Sequence, residues 1–231
     1  VVVVVWYMRK KREFLRQRFF QQINRVRMEN LRSRISPHFT FNVLGREINQ
    51  FNGSEEVKHN LMELVKYLRR SLELTEKLSV SLQDELDFVR TYIELERGRV
   101  GEDFVATITV EDELEAARIM IPSMIVQIPV ENAIKHGLAG KDGKKELMVY
   151  VSRETNGIRI TVTDNGRGYL PQVVSATRGT GTGLKVLYQT VQLLNTKNKS
   201  DKIRFDITNR SDGQTGTEVS VYIPFHFSYD L

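Results

Sequence analysis

Four groups of side chains in this chain are of types, and at spacings, that can do chemistry. The first is Ser36-Pro37-His38-Phe39-Thr40-Phe41-Asn42. Proline lacks an amide hydrogen and clashes with the preceding helical turn, so it kinks or breaks a helix. Here it does so beside an imidazole whose ordinary pKa lies near neutrality. A neutral imidazole nitrogen is a capable nucleophile; a buried histidine at an accidental kink is the alternative. The second group is Glu131-Asn132-Ala133-Ile134-Lys135-His136-Gly137. Asn132, Lys135 and His136 stand at i, i+3 and i+4 and so share one helix face. An amide oxygen, an ammonium and an imidazole suit a magnesium-bound phosphate chain, because magnesium takes oxygen ligands and substrate phosphates. An amphipathic helix with a polar face is the plainer reading. The third group, Asp164-Asn165-Gly166-Arg167-Gly168, follows a strand pattern. Its carboxylate can accept from an exocyclic amine and its glycines permit a tight turn, although such a sequence is also an ordinary turn. The fourth, Gly179-Thr180-Gly181-Thr182-Gly183-Leu184, enters a helix. Successive backbone amides at a helix start form an anion site. No Gly-Lys-Ser/Thr follows, so this is not a Walker loop, and the strand-first context of a dinucleotide fold is missing too.

These groups need elements to hold them. Residues 8–52 read as one long helix. At about 100° per residue, Leu15, Phe19, Ile23 and Val26 share a face to which Phe41, Leu44, Ile48 and Phe51 return. Leu31, Ile35, His38 and Asn42 form a second stripe, and Pro37 sits where the stripe changes. Asn52-Gly53-Ser54 predicts a turn with Ser54 as helix cap. A second helix then carries Leu61, Leu64, Val65, Leu68 and Leu72. Two such helices cannot bury their stripes alone, so pairing with a second copy into a four-helix bundle is the simplest solution. Packing of the hairpin on its own domain is the alternative.

From residue 79 the pattern is α+β. Ser81 opens a helix to about Arg99, and Phe104 to Val110 alternates as a strand. Pro122 precedes a helix from Met124 to about Leu138. Glu146 to Arg153 and Ile158 to Thr163 form a hairpin around Asn156-Gly157. A helix is predicted at Leu184–Leu194, and strands at Ile203 to Thr208 and Thr217 to Tyr222. Strands and helices in separate runs predict helices layered on one face of a mixed sheet. The expected division is 1–7, 8–78 and 79–231.

Composition narrows the classes. A chain of 231 residues with 40% hydrophobic and 27% charged residues is ordinary for a globular protein with a real core. Without cysteine there is no disulfide, zinc–thiolate site or cysteine nucleophile. Residues 1–34 hold ten Arg or Lys against Glu13 and Glu29, a net +8 within a chain total of +5, so the remainder carries −3. A basic stem on a mildly acidic body argues against nucleic acid as partner, which would want a basic face on the folded domain. The stem opens with Val1 to Val5, Trp6-Tyr7 and Arg9-Lys10-Lys11-Arg12. Five valines are far short of the roughly 20 apolar residues that span a bilayer. The order is nonetheless that of a membrane helix leaving the bilayer: apolar run, aromatic belt, positive flank. It predicts the cytoplasmic portion of an inner (cell) membrane protein, with residues 1–7 as the end of a transmembrane helix. A short buried strand is the alternative.

Taken together and in order, the Asn helix, the Asp-x-Gly-x-Gly turn and the glycine-rich segment resemble the ATP-binding domain shared by histidine kinases, gyrase, Hsp90 and MutL (the GHKL type). Ser36-Pro37-His38-Phe39-Thr40-Phe41-Asn42 is similar to the Asn-Pro-His-Phe-Leu-Phe-Asn phosphoacceptor box of LytS/YehU-type sensor histidine kinases. Ser81 to Arg99, with Glu85, Tyr92, Glu94 and Arg97, resembles that family's linking helix. The resemblance covers about residues 30–225.

The resemblance implies ATP and Mg2+ as cofactors, a homodimer, and a response regulator that receives the phosphate on an aspartate. It implies His38 as phosphoacceptor, Asn132 as magnesium ligand, Lys135 on the phosphates and His136 lining the nucleotide pocket. Asp164 would bind the adenine amine, with Thr217 supporting it. Gly166 and Gly168 would shape the pocket, and Gly179, Gly181 and Gly183 would belong to a lid. Some positions depart from the family pattern: Ser36 replaces its asparagine, Thr40 its leucine, and proline stands at Pro129, one place late. Phe39 follows the histidine where many histidine kinases carry an acid. Asn42 can orient the imidazole but cannot take a proton, which leaves Glu131 as the motif carboxylate for a general base. A gyrase-type ATPase using Glu131 to activate water, and a silent nucleotide-binding scaffold, are the other two readings.

Overall fold

The computed structural model describes residues 6, 10–11, 60, 63–64, 67–68, 70–71, 73–74, 77–169, 182–196, 198 and 201–229. The segment with His38 and Asn42, and Gly179 and Gly181, lie outside the described residues, as does most of 8–59. No helix among the described residues is long and apolar enough to cross a membrane.

The architecture is the expected α+β sandwich. Its order is β1 (Ser79–Ser81), α1 (Leu82–Val100), β2 (Phe104–Val110), β3 (Met120–Pro122), α2 (Gln127–Asn132), a π-helical turn (Ala133–Gly137), β4 (Lys145–Glu154), β5 (Gly157–Asp164), α3 (Thr182–Asn195), β6 (Arg204–Asn209) and β7 (Thr217–Pro224). Five strands form one sheet in the order β2-β4-β5-β7-β6. Only the β2–β4 pair is parallel, so the sheet is mixed. β1 and β3 form a separate antiparallel pair that the sequence reading missed, because three-residue strands show no periodicity.

Alternation decides which face is covered. Leu147, Val149 and Val151 on β4, Ile158, Ile160 and Val162 on β5, and Val219, Val221 and Ile223 on β7 are buried on one face. Met148 and Tyr150 point the other way and are exposed. The covered face packs under the helices. α3 contributes Val186, Leu187, Val191 and Leu194, spaced as one helical stripe. α1 contributes Leu82, Leu86, Val89 and Ile93. Ser81 caps α1 by accepting from the Asp84 amide at 3.0 Å.

Leu64, Tyr67 and Leu74, from the helical residues before β1, are buried in this same core. Tyr67 stacks on Phe88 of α1 with centroids 4.9 Å apart. Leu64, expected to face a second copy, is therefore covered by its own chain; Leu61, Val65 and Leu72 lie outside the described residues.

Two boundaries differ from expectation. The helix placed at Met124 begins at Gln127, because Met124 stands at φ 70, a left-handed conformation that no helix can include. Buried Glu85 of α1 collects the turn, accepting from the amides of Met124 (2.9 Å), Val126 (3.1 Å) and Gln127 (3.2 Å). The hairpin loop is Thr155-Asn156, not Asn156-Gly157, since Gly157 already pairs with Glu154 and Pro224.

Candidate functional site

The segment 128–137 is the centre of the site, and the other two described motifs close on its two ends. α2 ends at Asn132, and the chain then widens into the π-helical turn, with the Leu138 amide reaching back to the Ala133 carbonyl at 2.8 Å. Such turns insert one extra residue into a helix and occur frequently at functional sites. Here the widening carries Lys135 and His136 and brings Gly137 against the strand-end turn.

At that end, Asp164 is only 3% exposed at the last position of β5. Its carboxylate accepts from the Gly166 amide at 2.8 Å and from both the amide and the hydroxyl of Thr217 on the neighbouring strand β7. Burial pushes its pKa up, and these hydrogen bonds hold it down. A Cβ on Gly137 would lie 2.7 Å from one Asp164 oxygen and 3.0 Å from the other. A Cβ on Gly166 would overlap the Gly137 carbonyl. Arg167 fastens the two segments by donating from Nε to the His136 carbonyl at 2.7 Å and from its amide to the Gly137 carbonyl at 3.3 Å. The glycines are thus required by close approach of two backbones to one carboxylate.

At the other end, Gly183 opens α3 beside α2, where its Cβ would lie 3.3 Å from Ile128 and 3.7 Å from Asn132 Nδ2. Asn132 donates that Nδ2 to the Ile128 carbonyl at 2.7 Å. The amide is thereby fixed to the helix, and Oδ1 remains as its acceptor, the atom type magnesium prefers. Lys135 Nζ pairs with Glu131 Oε1 at 2.6 Å, so the proposed phosphate contact and the proposed base are one ion pair. His136 is half-buried. Its pKa is lowered by burial first and then by the charges of Lys135 and Arg167.

Asn132, Lys135, His136, Asp164, Gly166, Gly183 and Thr217 therefore come together around one segment. Gly168, at φ 84, stands one layer out. Its Cβ would meet Asn209 Oδ1 at 2.7 Å, and that oxygen accepts from the Tyr169 amide at 2.6 Å. Asn209, at the end of β6, was not singled out from the sequence, and neither was Gly216. Gly216, at φ 139, lies so close to Asp164 that a Cβ would overlap its carbonyl. Its position directly before Thr217 is the one sequence signal that could have marked it.

The donor set fits a magnesium–nucleotide. A buried carboxylate, an amide oxygen and an ammonium stand on or against one segment, and the glycines let the backbones close around that carboxylate.

Residues 26–104 match the histidine kinase family model, and residues 120–226 match that of the histidine kinase-, DNA gyrase B- and HSP90-like ATPases. The chain is 28% identical over 205 residues to the sensor histidine kinase YpdA of Escherichia coli, covering 88% of this chain and 35% of that one. It is 30% identical over 207 residues to the sensor histidine kinase/phosphatase LytS of Staphylococcus aureus, covering 86% and 34%. The chain thus spans about a third of the length of the curated relatives it matches. The histidine kinase domain of the Erythrobacter litoralis EL346 blue-light activated kinase superposes with a TM-score of 0.49 at 15% identity, over 89% of this chain and 94% of that one. The chain thus carries, in tandem over most of its length, a histidine kinase module and an ATPase module of the histidine kinase-, DNA gyrase B- and HSP90-like kind.

Proposed function

We propose that this chain is the kinase core of a two-component sensor: it phosphorylates its own His38 from ATP and passes the phosphoryl group to an aspartate of a response regulator. The observation that supports this most is the convergence of the Asp164 turn and the Gly183 helix start on the two ends of the Asn132 segment. In this reading residues 8–78 are the dimerisation and phosphotransfer helices and 79–231 the catalytic domain. Two copies pair through the helices. Residues 1–7 end a membrane helix, which would place the rest on the cytoplasmic side.

Bound magnesium-ATP supplies the phosphoryl group and the charge cancellation that phosphoryl transfer needs. The chain supplies position. Asp164, held by Thr217 and Gly166, orients the base. Asn132 presents its amide oxygen to the metal, and Lys135 places an ammonium at the phosphates. Gly183 would line the phosphate side, and Gly179 and Gly181 are assigned to the same lid by their place in the motif. His136, half-buried beside Lys135, would line the nucleotide pocket. An imidazole nitrogen of His38 would attack the γ-phosphorus in line, forming the N–P bond as the bond to the β–γ bridging oxygen breaks and ADP leaves, with Asn42 orienting the ring and Glu131, the nearest carboxylate in the motif, taking the imidazole proton.

The test is incubation of the protein with γ-labelled ATP and magnesium, followed by acid and base treatment of the retained label. Acid-labile, base-stable label that disappears in His38→Gln supports the reading. Label that persists in His38→Gln overturns the phosphoacceptor, and free phosphate without label points to the ATPase reading.

A further inference from the structure

One buried group of polar side chains has no part in the nucleotide site described above. On α1, Glu85, Tyr92 and Glu96 stand at i, i+7 and i+11, within about 40° of one line along the helix. All three are buried in an otherwise apolar core. The opposing segment places Gln127 and Glu131 at i and i+4, again on one line. The two lines run alongside each other. At one end Glu85 holds the Gln127 amide; at the other the Tyr92 hydroxyl is close enough to Glu131 and Glu96 to feel both charges. Gln127 stands at the first of these points, one turn before Glu131.

The ends differ in how well they are satisfied. Glu85 collects three backbone amides. Gln127 is 0% exposed, yet neither its Nε2 nor its Oε1 has a hydrogen-bond partner among the described residues. Glu96 is also 0% exposed; Arg99 Nε donates to one carboxylate oxygen, and the other is unpartnered among the described residues. A buried polar atom without a partner is destabilising, and an apolar group of the same shape would be neutral or better. Such a residue has no stability reason to stand there. What distinguishes the place is that Glu131 and Asn132 are the next turn of the same helix.

We propose that Gln127 and Glu96 are positioning residues: they form a buried polar seam between α1 and α2 that sets the orientation of the Glu131–Asn132 turn toward a magnesium-bound nucleotide. This rests on the reading of Asn132 as metal ligand. Polar residues one shell behind a metal ligand orient it, and their loss typically weakens metal affinity by about ten-fold or more.

The test uses the full chain with a non-hydrolysable ATP analogue, titrated in magnesium chloride and again in EDTA, alongside urea unfolding. The wild type is expected to bind more tightly with magnesium. Absence of that gain in the wild type would overturn the Asn132 reading and the seam with it. Given the gain, Gln127→Met and Glu96→Leu should unfold at the same or higher urea concentration and bind the analogue in EDTA within about two-fold of wild type. The magnesium-dependent gain should fall about ten-fold. Glu96→Gln, which keeps the shape and one acceptor oxygen of the side chain, should restore most of it. Stable variants with the full magnesium gain would overturn the proposal. So would a lowered urea midpoint in Gln127→Met, because the amide would then be serving the fold.

Discussion

Gly137 presents its Cα to the carboxylate of Asp164 so closely that a single methyl group there would stand 2.7 Å from Oδ1. The two residues come from the two motifs that define the site, and neither leaves the other room to change. Gly137→Ala gains helix propensity but overpacks a buried carboxylate. It should lose about 1–3 kcal/mol of stability and most nucleotide affinity. Combining it with Asp164→Ala should recover stability without recovering binding, a non-additivity expected of touching residues. Urea unfolding and nucleotide titration of the three variants check this.

Glu85 is the acceptor for three amides, one of them on left-handed Met124. Glu85→Gln keeps the shape but turns one acceptor into a donor facing N–H groups. A loss of about 3 kcal/mol is expected, readable as a fall in the urea midpoint with an unchanged slope.

Lys135 and Glu131 form a partly exposed i, i+4 pair at 2.6 Å. Such pairs contribute under about 1 kcal/mol. Lys135→Ala should therefore leave stability nearly unchanged. A charged hydrogen bond to phosphate contributes about 1.5–3 kcal/mol, so affinity for magnesium-ATP should fall at least about ten-fold. A parallel loss of stability and affinity would contradict this division.

His136 gives a pH signature. Its pKa is lowered in the fold by burial and by the charges of Lys135 and Arg167. Between the ordinary histidine value and the lowered one, the unfolded chain binds the proton and the folded chain does not, so stability falls as pH falls through that window. His136→Gln should flatten the dependence of the urea midpoint on pH just below 6.5. An unchanged slope would place the acid sensitivity elsewhere.

The long elements were legible because their periodicity is strong: β2 was expected at Phe104–Val110 and lies there, and α1 runs from its Ser81 cap to within one residue of the expected end. The start of α2 was not, because nothing local to Met124 announces that a carboxylate 39 residues earlier captures its amide. The π-helical turn was hidden for a related reason. It appears only where Gly137 and Gly166 meet, a tertiary contact with no period in sequence. Asn132, Lys135 and Asp164 were singled out from the order of the motifs, and the fold brings them around one segment. Asn209 and Gly216 were not, since their importance lies in what a neighbouring strand places against them.

The reach of Glu85 into the 124–127 turn has a mechanical consequence. α1 packs through Phe88 on Tyr67 of the helical residues before β1, and its Glu85 carboxylate grips the strand-to-helix turn at three points, like a rivet through two plates. A twist applied to α1 cannot slip past that turn without stranding three buried N–H groups. It must be delivered as torque to the helix that ends at Asn132.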